Sequence, residues 1–135
     1  MSSSIFHGET VFPWDEALDY SPYVRVDDNL VFTSGQGAFG EDGSIQFHGD
    51  PVEQIRLTFD NLRTVLSAAG ASLSAVITLT VYLSRPEDFE HLKSVRREYF
   101  SAPFPAVTTV RADLLPEGML IELQAVARIS DPTAS

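Results

Sequence analysis

The segment from Asp50 to Gly70 constrains the fold more than any other stretch of this chain, because its start, its buried stripe and its end are all written in residue type. Asp50 is placed to cap a helix, Pro51 suits the first helical position, and Glu53 completes the spacing of a capping box. Ile55, Phe59, Leu62, Leu66 and Ala69 then recur at steps of four, three, four and three, one stripe of a helix, and Gly70 ends it. A helix with one apolar face needs a second layer to bury that face.

The rest of the chain supplies a sheet. In the β-prone run Leu120–Ile129, Ile121, Leu123, Ala125 and Ala127 make one apolar face suited to lying beneath helices. Leu120, Glu122, Gln124, Val126 and Arg128 make the other. Tyr23–Val26 and Leu30–Thr33 are short runs split by Asp27-Asp28-Asn29, which is hairpin-turn chemistry. Gly35 to Gly43 reads as a loop. Ala75–Leu83 is a strand rich in valine, isoleucine and threonine. Ser84 and Glu87 around Pro86 read as a second capping box, opening a helix to about Phe100 that Pro103 and Pro105 stop. Ala106–Ala112 is the next strand, and a turn containing Pro116-Glu117-Gly118 joins it to the last.

The order is therefore strand, strand, helix, strand, helix, strand, strand, preceded by residues 1–20 as an irregular or edge-strand lead-in. This is an α+β domain, taken as one unit over residues 1–135, with two helices on one face of the sheet. The second face is mixed, too apolar for free solvent and too polar for a dry core. It fits a subunit interface with clefts in it, or else a solvated antiparallel face.

Charge narrows the partners. Nine lysines and arginines face nineteen acidic residues, for a net charge of -10. Nucleic-acid binding draws most of its affinity from cations on phosphates, and the one local basic group, Lys93, Arg96 and Arg97, is too small for a duplex footprint. Neither nucleic acid nor an anionic membrane is an expected partner. No apolar run approaches the ~18 residues of a membrane span, and Met1-Ser2-Ser3-Ser4 has the character of no secretory signal. The absence of cysteine removes disulfides and thiolate chemistry and is compatible with a cytoplasmic protein. His7, His48 and His91 lack a metal-ligand spacing, so no metal site is expected.

Over nearly its whole length the chain resembles the RidA/YjgF family. The resemblance is carried by Ser21-Pro22-Tyr23-Val24, Val31-Phe32-Thr33-Ser34-Gly35-Gln36, Phe59-Asp60-Asn61-Leu62 leading to Ala68-Ala69-Gly70, and Thr80-Val81-Tyr82-Leu83. It continues through Asp88-Phe89, Phe104-Pro105-Ala106 with Thr109-Val110, Leu115-Pro116, and Ile121-Glu122 to Ala125-Val126-Ala127. It implies a chorismate-mutase-like fold, a homotrimer, and a small-molecule ligand at each subunit interface. It also implies hydrolysis of reactive enamines and imines such as 2-aminoacrylate to keto acids and ammonia, with no metal or organic cofactor. In this family an arginine grips the substrate carboxylate and a glutamate delivers a proton or positions water. A guanidinium fork suits the first task and a fixed carboxyl the second.

At the pocket the chain departs from the family pattern. Pro-Ala-Arg becomes Pro105-Ala106-Val107, and Ile-Glu-Ile-Glu becomes Ile121-Glu122-Leu123-Gln124. The position given the water-positioning role is thus Gln124, and Lys93 stands where the archetype has an asparagine near the ligand. Losing a hydrogen bond to a charged group weakens binding of a simple 2-imino acid by about 10- to 150-fold. The residues implied for the site are Gln124 and Glu122 for catalysis, with Tyr23, Ser34, Gly35, Lys93, Val107, Thr108 and Thr109 for the substrate. Val107 is then a pocket wall, with Thr108, Thr109 and Gln124 offering hydrogen bonds. Glu122 is either a pocket carboxylate or an interface or turn partner. Lys93 is either an anion or Schiff-base lysine or a solvated one, and Arg111 either a displaced guanidinium or an interface residue. The function implied is deamination of, or a related rearrangement on, a small enamine- or imine-type metabolite with an altered pocket. The alternative is a non-catalytic metabolite-binding trimer.

Overall fold

In the computed structural model, which describes residues 4–130, six strands form one sheet with two helices against it. The strands are β1 (Ile5–His7), β2 (Tyr23–Val26), β3 (Leu30–Thr33), β4 (Val76–Leu83), β5 (Ala106–Arg111) and β6 (Ile121–Arg128), and the helices α1 (Pro51–Ala68) and α2 (Phe89–Tyr99). Residues 1–3 of the expected lead-in, and 131–135 of the expected domain, lie outside the described residues. The rest of the lead-in does supply an edge strand: β1 pairs antiparallel with β2. Strand order is β1-β2-β3-β6-β4-β5, antiparallel except for the parallel pair β4 and β5.

The β2–β3 hairpin turns where expected, with Asp27 and Asp28 at φ 54° and 49°, a conformation short acidic side chains tolerate. α1 begins at Asp50, whose carboxylate accepts from the Glu53 N–H at 3.2 Å. It ends in a Schellman arrangement, Ala71 N–H to Leu66 C=O and Gly70 N–H to Ser67 C=O, with Gly70 at φ +87°. Ile55, Phe59, Leu62 and Leu66 of its stripe are wholly buried, each contributing about 1.5–3 kcal/mol of apolar burial. They pack on Ile121, Leu123, Ala125 and Ala127 of β6 and Leu79 and Val81 of β4, so one side of the sheet is the core.

Both capping boxes need correction. At α1 only half forms: the Glu53 carboxylate takes the nearer Arg56 guanidinium, and the Asp50 N–H is already donated to Phe47 C=O at 3.0 Å. At the second helix the Ser84/Glu87 pair does not form. A 3₁₀ turn, Pro86–Asp88, precedes α2, and buried Asp88 takes a bidentate pair of bonds from Arg85 at 2.9 and 3.1 Å. The turn is capped at Arg85 and α2 at Asp88, so Ser84 and Glu87 do not occupy the cap and third positions that a box needs.

Candidate active site

Pairing register decides which side chains share a face, because directly paired residues project to the same side. Glu122 on β6 pairs with Tyr82 on β4, which pairs with Val110 on β5. The next row is Gln124, Thr80 and Thr108. Both rows lie on the open face, away from the helices. Val107 and Thr109 pair with Leu79 and Val81, which are core residues, so they belong to the helix-covered face at its edge.

On the open face a cleft of about 400 Å³ surrounds Glu122. Glu122 and Tyr82 belong to adjacent strands; Gly35 and Phe39 come from the loop after β3, Met119 and the 112–116 segment from the turn before β6, and Tyr20 from the lead-in. The glycine is required by close approach: a Cβ on Gly35 would stand 2.8 Å from Glu122 Cδ. The loop is held there by its backbone. Gln36 N–H donates to Leu123 C=O at 2.7 Å and Leu123 N–H returns to Gln36 C=O at 2.9 Å. Asn61 of α1 donates to the carbonyls of Gly37 and Phe39 at 2.8 and 3.1 Å.

Glu122 is half-buried. Desolvation pushes its carboxyl above the usual 4.5, and no described donor or cation offsets that. A carboxyl of raised proton affinity, on a rigid strand and facing a cleft, is suited to give and take a proton.

The other expected site residues fall into separate places. Gln124 is exposed and accepts from Tyr82 Oη at 3.2 Å, one row along the same face as Glu122. Thr108 is exposed in that row. Ser34 spends its hydroxyl on Ser21 C=O at 2.6 Å, anchoring the strand that leads to Gly35. Tyr23 is buried in the core on the other face, its hydroxyl toward Ala68 C=O at 3.4 Å. Lys93 and Val107 line a different groove, of about 210 Å³, between α2 and β5, where Lys93 Nζ pairs with Glu90 at 3.0 Å. Thr109 and Arg111 line a neighbouring hollow with Phe89. Within one chain, then, Gly35, Glu122, Gln124 and Thr108 share a face, and Val107, Thr109 and Lys93 do not join them. Tyr82, Tyr20 and the 112–116 segment were not among the expected site residues. Alternation along β4 puts Tyr82 on the polar side, but only the register shows that it meets Glu122.

Fold and cleft define a RidA-type α+β domain, a mixed sheet with two helices on one face. The family model described as "Endoribonuclease L-PSP" matches residues 14–129. The RutC family protein YjgH of Escherichia coli is 40% identical over 114 residues, covering 83% of this chain and 84% of that protein. The 2-iminobutanoate/2-iminopropanoate deaminase of Homo sapiens is 32% identical over 108 residues, covering 80% of this chain and 78% of the relative. Among solved structures, RidA from the Antarctic bacterium Psychrobacter sp. PAMC 21119 superposes with a TM-score of 0.80 at 28% identity, covering 92% of this chain and 99% of that one. The chain belongs to the RidA/YjgF family.

Proposed function

We propose that this chain hydrolyses a small enamine or imine to a carbonyl compound and ammonia, with Glu122 as the acid–base group. The observation that carries the reading is the half-buried carboxyl of Glu122, unpaired among the described residues, facing a 400 Å³ cleft with Gly35 close against it. Relatives named 2-iminobutanoate/2-iminopropanoate deaminase support the reaction class.

In this reaction an enamine first takes a proton on carbon to become the iminium. The Glu122 carboxylate then accepts a proton from water as its oxygen bonds to the iminium carbon. The same carboxyl returns the proton to nitrogen, and the hydroxyl proton passes to water as the carbon–nitrogen bond breaks, leaving a carbonyl and ammonia. Hydrolysis is redox-neutral and balanced by water alone. Tyr82, bonded to Gln124, stands beside the carboxyl as a further polar group.

The reading includes a homotrimer with a cleft at each subunit boundary. Its support is the open face, where Phe32 and Val110 stay 42% and 41% exposed among polar neighbours, an arrangement suited to covering by another copy. Chemistry adds a second reason. In a 2-imino acid the carboxylate is bonded directly to the imine carbon, so its anchor and Glu122 must lie within a few ångströms. The cation-lined groove and Glu122 occupy opposite faces of one sheet, and a neighbouring copy is the way to join them.

The test is release of ammonia and keto acid from 2-aminoacrylate generated in situ, and from bulkier 2-imino acids generated by an amino-acid oxidase. Release above buffer is expected. Stabilisation of the protein by keto acids with no turnover would replace this reading with that of a metabolite-binding trimer.

A further inference from the structure

In a chain of net charge -10, three of the nine lysines and arginines line one groove between α2 and β5. Lys93, Arg96 and Arg97 stand at helical spacings of three and four on α2, facing Phe104 and Val107 across the groove. Lys93 already holds Glu90. Arg96 and Arg97 hold no carboxylate among the described residues, whereas Arg56, Arg63 and Arg85 each do. Nη1 of Arg96 is buried and has no hydrogen-bond partner among the described residues. Burial first, and then the neighbouring Arg97 charge, press the proton affinity of its guanidinium below the usual value.

A buried charged donor left without an acceptor is costly, and a second cation beside it adds repulsion. An anion in the groove removes both costs. The opposite wall is apolar: Phe104 is 65% and Val107 39% exposed. Val107 stands where the resemblance implies an arginine, and the groove carries its two guanidinium groups on the helix side.

We infer that Arg96, with Arg97 beside it, binds the carboxylate of the substrate, and that Val107 and Phe104 receive an apolar side chain, so that the preferred substrates are 2-imino acids with a branched aliphatic or aromatic side chain. The inference rests on the imine-hydrolase reading and names its substrate class. Val107 then widens the site for the side chain, while the anion's anchor moves from the strand to the helix.

The test is calorimetric titration with stable keto-acid products, 4-methyl-2-oxopentanoate against pyruvate. The native protein is expected to prefer 4-methyl-2-oxopentanoate, and Arg96→Gln to weaken its binding by about 10- to 150-fold. Val107→Glu, which supplies the groove with a carboxylate of its own, is a second variant at a partly exposed site and is expected to abolish the binding. Unchanged affinity in both variants, or no preference between the two keto acids, overturns the inference. The two proposals fail separately. Arg96-dependent keto-acid binding without ammonia release from any imine removes the hydrolase reading alone. Ammonia release with the same KM in native protein and Arg96→Gln removes the anchor alone.

Discussion

β6 presents two faces of equal length and opposite consequence. Ile121, Leu123, Ala125 and Ala127 are buried under the helices and hold the layers together. Glu122, Gln124, Val126 and Arg128, one residue out of step, remain half-exposed or exposed on the open face. A carboxyl on the first face would have no role but to destabilise. On the second, Glu122 is wet enough to meet a substrate and dry enough for its proton affinity to rise. The strand is a rigid frame because one face is packed, and the packed face frees the other for chemistry.

The contrast can be broken from either side. Leu123→Ala removes a fully buried side chain from the packed face and is expected to cost about 2–5 kcal/mol of unfolding free energy, measured by denaturant titration. Gly35→Ala acts only on the open face, by pushing the Glu122 carboxyl aside. It is expected to lower kcat roughly 100-fold, since small misplacements of a reacting group have that effect, while the melting temperature stays close to native.

Glu122 also makes a prediction about pH. Its folded-state carboxyl lies above 4.5, so the folded state binds the proton more tightly than the unfolded state. The stability this gives is complete below 4.5 and is lost as pH rises through the raised folded value. Thermal melts of Glu122→Gln should therefore gain on native protein as pH rises from 4.5 toward neutrality. A variant that falls further behind native protein as pH rises would contradict the sign. Smallest of all, Gln124→Ala removes an exposed amide and its one bond to Tyr82, with an expected stability change within about 0.5 kcal/mol.

What the residue pattern could tell divides along the same line. The α1 stripe, the Gly70 stop and the β2–β3 turn are local devices, and each stands where its residues point. Alternation on β6 gave both of its faces correctly. The capping boxes were misjudged because a motif records who is able to bond: Arg56 takes the Glu53 carboxylate, and the turn before α2 is capped at Arg85, one residue past Ser84. Site geometry was hardest. Val107, Thr108 and Thr109 are consecutive, yet a strand sends them to alternate faces. Whether Tyr82 meets Glu122 depends on register between strands forty residues apart, which no periodicity within either strand records. Arg96 and Arg97 read as a minor basic cluster until β5 closes the groove opposite them.

The most direct measurement of the central claim is steady-state ammonia release from 2-imino acids by native protein and by Glu122→Gln, with circular dichroism confirming that both are folded. The account predicts clear acceleration over buffer by the native chain, and a fall in kcat of about 10²- to 10⁴-fold in the variant, the size expected for losing a general acid–base group. Equal rates in the two proteins would contradict it, and would move the chemistry away from Glu122.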